Sequence, residues 1–247
     1  MKYIIMCGGK YNKWETPCQL LKVNGEVLVE RTIRLLRENG IDDIAISTND
    51  PRFDYLDVEI LRDECNEYEY AGSEENTNAL KSWLEAYYLL DAPCCYLHGD
   101  VYFSDDAIKK IVNKKVKDTM FICVPDKQDV KRKSKLNFKG REPLGYKVEN
   151  YELFNKAVNE LLFMVRDQKF KDAKIKPISW TVYRYLNHMD LGFKAQNYND
   201  LNGIFKSKGD YMIINDYTTD IDFPKDIEKI EEVLSNDKTN KKNGIHK

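Results

Sequence analysis

Two kinds of residue in this chain are spaced for phosphate chemistry: glycines beside lysines near the start, and aspartates at the ends of apolar runs. Tyr3–Met6 is an unbroken apolar run. Cys7, Gly8 and Gly9 follow it, with Lys10 and Lys13 close behind. A strand that ends in glycines presents bare backbone N–H groups, and the lysines add positive charge, a combination that suits a polyphosphate. The stretch Cys7–Gln19 can therefore wrap a nucleoside triphosphate, with backbone amides, Lys10 and Lys13 neutralising charge as pyrophosphate departs. The plainer alternative is a strand-to-loop connection that carries surface lysines.

The carboxylates complete the picture. Asp100 closes the run Cys94-Cys95-Tyr96-Leu97-His98-Gly99, so one acid stands at the end of an apolar strand beside a glycine. Magnesium takes one or two carboxylates together with phosphate oxygens and water, and Asp100 is placed for that role. Its alternative role is to cap a helix beginning near Asp105. A late segment, N-D-Y-T-T-D-I-D-F-P-K-D at 215–226, adds Asp220 and Asp222. On an extended chain these point to the same side. Asp226 falls in the first turn of the next helix, where an acid suits the dipole. His98 reads as a packed or hydrogen-bonded histidine rather than a base.

The elements that must hold these residues alternate in period. Tyr3–Met6, Ile44–Ser47, Val58–Leu61, Cys94–Leu97 and Met120–Val124 predict strands. Val27–Asn39 predicts a helix with Leu28, Ile33, Leu35 and Leu36 on one side and a stop at Gly40. Asp105–Asn113 predicts another, as does a run from Ser73 or Asn76 to about Leu90. This rhythm implies an α/β fold: a single domain with a mixed, mostly parallel sheet flanked by helices. Ligands of such sheets bind outside the carboxyl ends of the strands, where the glycine loop and Asp100 both fall.

The second half is less regular. A lysine-rich loop is expected at 126–141, a strand at Leu144–Val148, helices at Tyr151–Arg166 and Trp180–Leu186, and a strand at Tyr211–Ile214. A helix at Pro224–Leu234 and a frayed polar tail at 235–247 close the chain, Pro224 suiting the first helical turn. The expected organisation is one domain over 1–234, with a nucleotide-binding half at 1–124 and an acceptor-binding region at 125–210.

Composition bounds the function. With 247 residues, 42% of them hydrophobic, the chain can bury a full core. A net charge of −2 excludes a general nucleic-acid binder, which needs a basic face. The six cysteines form no C-x-x-C pair, so they read as reduced core thiols. No apolar run approaches the roughly eighteen residues of a membrane span, and the start does not read as a signal peptide. A cytoplasmic protein without membrane insertion is expected; the sequence leaves a homodimer open.

The string P-x-Q-L-L-x-V-x-G-x-x-L-x-x-R-T-I, which follows the glycine loop, resembles the nucleotidyltransferases of the GT-A-like fold, among them sugar-phosphate nucleotidylyltransferases and cytidylyltransferases. Cys7, Gly8 and Gly9 stand at that family's A-A-G positions, and Pro17, Leu20, Leu21, Val23, Gly25, Leu28, Glu30 and Ile33 match the run that follows. Lys13 stands where the family has an arginine, and Cys18 where it has a phosphate-contacting lysine. Asp100 matches the metal-binding aspartate of a G-D element. Asp222, Pro224, Asp226 and Ile227 match the late V-D-T-P-E-D-L segment, whose first aspartate completes the metal site.

The resemblance implies an Mg2+-dependent transfer of a nucleoside monophosphate from an NTP to a small phosphorylated acceptor, in the service of polysaccharide or phospholipid-like precursors. Asp100 and Asp222 would hold the metal, and Lys13 and Lys10 would act as catalytic cations. Cys7, Gly8, Gly9, Cys18, Gln19, Thr77 and Asn78 would line the nucleotide. Glu142 and Lys147, near a sequence similar to the family's E-K-P element, would meet the acceptor. Two alternatives stay open: a glycosyltransferase of the same fold using an NDP-sugar, and a non-catalytic nucleotide-binding module.

Overall fold

The computed structural model describes residues 1–7, 15–62, 92–124, 143–152, 154–155 and 210–242. Expectations for the helix ending near Leu90, the loop at 126–141, most of the helix from Tyr151 and the helix at Trp180–Leu186 lie outside the described residues. In chain order the strands are β1 (Lys2–Met6), β2 (Lys22–Val23), β3 (Glu26–Val27), β4 (Ile44–Ser47), β5 (Glu59–Leu61), β6 (Cys94–His98), β7 (Val101–Tyr102), β8 (Thr119–Cys123), β9 (Pro143–Val148), β10 (Asp210–Ile213) and β11 (Thr219–Asp220). The described helices are α1 (Leu28–Glu38), α2 (Asp105–Asn113) and α3 (Pro224–Lys242). The chain divides into two compact units, one from 1–10, 43–98 and 115–213, the other from 11–42, 99–114 and 214–247.

The first unit is built on a seven-stranded sheet in the order β10-β8-β9-β6-β1-β4-β5. β1 runs parallel to β4 and β6, β4 to β5, and β8 to β10, whereas β9 is antiparallel between β6 and β8. The mixed, mostly parallel sheet expected from the sequence is the one observed. Tyr3, Ile4 and Ile5 of β1, Cys95, Tyr96 and Leu97 of β6, and Phe121 and Ile122 of β8 are all buried. Strands covered on both faces need apolar residues at successive positions, so these segments read as continuous runs rather than alternating ones. The buried cysteines among them (Cys94, Cys95 and Cys123) form no disulfide among the described residues and act as small core residues.

The second unit begins with the β2–β3 hairpin. Its turn, Asn24-Gly25, has positive φ at both residues (53° and 84°), the conformation that a tight two-residue turn demands. α1 buries Leu28, Val29, Ile33, Leu35 and Leu36. It ends at Gly40 (φ 81°), where Gly40 N–H donates to the Arg37 carbonyl and Ile41 N–H to that of Leu36, satisfying carbonyls that the helix leaves open. Val27, expected inside this helix, belongs instead to β3. α2 is capped by Ser104, whose Oγ accepts from Ala107 N–H at 2.9 Å. At the start of α3 the buried Asp226 accepts from Phe223 N–H at 3.0 Å, which confirms its capping role. A core of Val23, Leu28, Tyr102, Ile221 and Ile230 joins hairpin and helices.

α3 departs from expectation by running past Leu234 to Lys242. Residues 235–242 contain neither glycine nor proline, and polarity alone does not stop a helix already anchored by its first turns. Among the described residues no helix is long and apolar enough to cross a membrane.

Gly145 of β9 is the tightest point of the sheet. A Cβ there would collide with the backbone carbonyl of Tyr96 and stand 3.2 Å from Leu97 Cα, and neither backbone atom can swing aside. Gly145→Ala is expected to destabilise the protein by about 3 kcal/mol or more. Urea unfolding measures it, and a loss below about 1 kcal/mol would show that β9 can shift away from β6.

Candidate active site

The second unit collects the acids singled out in the sequence. The chain leaves β6 at His98 and reaches Asp100 before β7 begins. β7 pairs antiparallel with β11, Val101 opposite Asp220 and Tyr102 opposite Thr219. The ladder continues by one bond, from Ile221 N–H to the Asp100 carbonyl at 2.8 Å. Asp100 is thereby tied to the middle residue of Asp220-Ile221-Asp222. Ile221 is buried in the core formed with Val23, Leu28, Tyr102 and Ile230. On an extended chain its neighbours then turn away from that core, and both acids are half-buried.

Arg31 steadies the other edge of this segment. Its guanidinium is buried, donates to the Phe103 carbonyl at 3.3 Å and to Asp105 Oδ1 at 2.5 Å, and lies 4.7 Å from the centroid of the Tyr102 ring. Planar stacking with a fork of donors is a role that lysine cannot fill. α1 therefore holds the chain just after Asp100.

The electrostatics follow from this crowding. Burial, together with the negative charges of Asp220 and Asp222, pushes the Asp100 carboxyl up from 3.8 to about 7, a rise worth on the order of 4 kcal/mol. Cys18 belongs to the same cluster. It sits in a short 3-10 turn, Cys18–Leu20, after the buried Pro17. Burial, and then the charges of Asp100 and Asp222, push its thiol up to about 12, so it stays neutral and offers no cation. No lysine or arginine among the described residues forms an ion pair with Asp100 or Asp222. Next to Cys18, Gln19 is buried, and its Oε1 has no hydrogen-bond partner among the described residues.

This donor set fits a hard divalent cation. It offers carboxylate oxygens, carries excess negative charge, and leaves the most perturbed acid without a counter-ion among the described residues. Among the described residues no group of three or more His, Cys, Asp or Glu side chains is arranged to hold a metal. One or two carboxylates completed by phosphate oxygens and water is the coordination that magnesium prefers.

The other expected site residues are distributed as follows. Gly8, Gly9, Lys10, Lys13, Thr77, Asn78 and Glu142 lie outside the described residues. Cys7 is buried at the end of β1, in the first unit, where its N–H donates to the Ser47 carbonyl at 2.9 Å. Lys147, expected to meet the acceptor, lies in β9. It is only 6% exposed, in the sheet row of Tyr3, Cys95 and Met120, with its ammonium 6.0 Å from the Tyr3 ring centroid. Burial lowers its pKa. His98 is packed, as expected: its ring lies 6.0 Å from that of Tyr146, and burial pushes it down to about 4, which keeps it neutral.

The resemblance implies a metal site of Asp100 and Asp222, yet the charge of Asp220 bears on Asp100 more strongly than that of Asp222. Sequence reasoning passed over Asp216 and Thr218 altogether, although an aspartate two residues before a threonine is a recognisable turn signal.

The MobA-like NTP transferase domain family matches residues 3–172, a span that includes Asp100 and stops short of Asp222. No curated protein matches the chain. Among solved structures, 4-diphosphocytidyl-2C-methyl-D-erythritol synthase from Anaerococcus prevotii DSM 20548 is similar at TM-score 0.54 and 14% identity, over 95% of this chain and 97% of that one. Rv0371c from Mycobacterium tuberculosis H37Rv is similar at TM-score 0.53 and 13% identity, over 94% and 96%. Its homolog from Mycobacterium sp. strain JC1 gives TM-score 0.51 at 13% identity, over 95% and 96%. Likeness at these identities establishes the fold.

The raised Asp100 has a consequence for stability in the absence of metal. At low pH both folded and unfolded chains carry the proton. Between 3.8 and about 7 the unfolded chain ionises first, so this group withdraws stability as pH rises, and the full penalty stands above about 7. Asp100→Asn is therefore expected to raise the melting temperature in EDTA at pH 8 and to change it little at pH 4. An equal effect at both pH values would show that burial and the neighbouring charges do not raise the Asp100 carboxyl.

Proposed function

Since the chain belongs to the MobA-like NTP transferase domain family and is thus a nucleotidyltransferase, we propose that it transfers a nucleoside monophosphate from an NTP to a phosphorylated sugar, alditol or small alcohol, with Mg2+ held by Asp100 and Asp222. The observation that carries this reading is the carboxylate cluster: Asp100, crowded by Asp220 and Asp222, stands without a counter-ion among the described residues. A cation bound there would supply charge neutralisation on the phosphate oxygens. The chain's own acids fix where that positive charge sits.

An oxygen of the acceptor phosphate attacks the α-phosphorus in line. The new P–O bond forms as the bond from the α-phosphorus to the bridging oxygen breaks, and pyrophosphate carries away the electron pair. Backbone amides of the loop with Gly8 and Gly9, and the charges of Lys10 and Lys13, are assigned to the leaving pyrophosphate. Gln19, Thr77 and Asn78 are assigned to the nucleoside, and Glu142 to the acceptor. A phosphate nucleophile is already anionic, so no general base is required. The neutral Cys18 thiol adds no charge, which leaves the two lysines as the loop's cationic contribution.

The glycosyltransferase reading is the less favoured alternative on the sequence after Asp100. Such enzymes carry a second acid two residues after the first, and here that residue is Tyr102, buried in the core of the second unit. The chain is assigned to the cytoplasm on its reduced, buried thiols.

The test is a pyrophosphate-release screen of the four common NTPs against sugar, alditol and aminoalcohol phosphates, with Mg2+. At least one pair should turn over. Asp100→Ala and Asp222→Ala should each lower that release on the order of a hundredfold or more. Silence across the matrix with folded protein, or unchanged turnover in both variants, would overturn the assignment.

A further inference from the structure

The ladder that presents the acids is very short. β7 and β11 pair through Val101, Tyr102, Thr219 and Asp220 alone, with the Ile221–Asp100 bond at one end. Strands this short hold their register weakly, and a slip of one residue exchanges the sides on which successive side chains lie. Here such a slip would turn Ile221 toward the site and drive Asp220 or Asp222 into the core. Something must fix the register from the other end.

That end carries a closed set of side-chain bonds. Asp216 Oδ2 accepts from Ser104 Oγ–H at 2.7 Å, and its Oδ1 accepts from Thr218 N–H at 2.7 Å. Thr218 Oγ1 accepts from Ser104 N–H at 2.9 Å. Ser104 Oγ in turn accepts from Ala107 N–H, which ties the whole set to the first turn of α2. Thr218 and Ser104 are buried, so the bonds from Ser104 N–H and Ala107 N–H form out of water and are costly to leave unmade, while those to Asp216 are partly buried. From Ser104 back to Asp100 and from Asp216 on to Ile221, the two segments are bonded along their length. The side-chain clamp closes one end and the acid site lies at the other.

We infer that Asp216, with Thr218 and Ser104, is a register-setting clamp whose role in the reaction is to position Asp222 and Asp220 against Asp100, and so to set the affinity for the divalent cation. This rests on the metal-dependent reading above. The clamp touches neither substrate nor metal; its three residues are positioning residues acting through the β7–β11 ladder. Thr218 Oγ1 matters as an acceptor, so serine should preserve the function and valine should not.

The experiment is titration of the full chain with Mn2+ in the presence of non-hydrolysable analogues of the four common NTPs, protein-bound Mn2+ being read by electron paramagnetic resonance, with thermal unfolding in parallel. Wild type should bind Mn2+ and Asp100→Ala should not. Thr218→Val and Asp216→Ala should weaken Mn2+ binding on the order of tenfold, the usual effect of removing an outer-shell partner, while Thr218→Ser stays within about twofold of wild type. If wild type binds, Asp100→Ala fails to bind, and both clamp variants keep wild-type affinity while melting lower, the clamp is structural only and the inference falls alone. If wild type itself binds no Mn2+, the metal reading falls and takes this inference with it. Should Asp216→Ala not fold, the near-isosteric Thr218→Val, judged against Thr218→Ser, decides.

Discussion

The burial of Asp100 beside the carboxylates of Asp220 and Asp222 is the constraint on which the site in the second unit depends. Burial first, and then the two neighbouring negative charges, oppose ionisation of Asp100 and push its carboxyl up to about 7, so holding the three acids together is unfavourable. The opposing term is hydrophobic. Ile221 lies between the two acids in sequence and is buried with Leu28, Tyr102 and Ile230, so expelling the acids would also expose a core residue. Backbone bonding from Asp100 to Ile221 and the grip of Arg31 beyond Tyr102 leave the segment nowhere else to go. Strain of this kind is relieved by a bound cation, and it recurs where proteins bind metals and phosphates.

Cys18 gives that relief its particular form. A lysine at this position, as in the resembling family, would set a fixed positive charge beside Asp100 and Asp222. The thiol is instead neutral and buried, its ionisation opposed by those same acids. The cluster therefore lacks an internal counter-charge at this point and depends the more on what binds to it.

Much of the sheet was legible because its strands are buried on both faces and so write themselves as apolar runs. Ile44–Ser47 and Asp105–Asn113 fall where their sequences place them. What stayed hidden lacked a period. A ladder of two-residue strands such as β7–β11 carries no alternation to read, and the clamp of Ser104, Asp216 and Thr218 joins residues more than a hundred positions apart. The late acids were recognisable as a pair, but their ranking was not, because the register that brings Asp220 opposite Val101 is a tertiary fact. The burial of Lys147 was legible in its apolar strand, between Tyr146 and Val148. In α3, polarity suggested fraying where the absence of a breaker let the helix continue.

The central claim is that Asp100 and Asp222 together hold the divalent cation that accompanies the nucleotide. The most direct measurement is anomalous scattering from crystals of the full chain grown with Mn2+ and a non-hydrolysable NTP analogue. The account predicts a manganese peak in contact with carboxylate oxygens of both Asp100 and Asp222 and with oxygens of the triphosphate. A bound nucleotide whose manganese touches neither acid would contradict it.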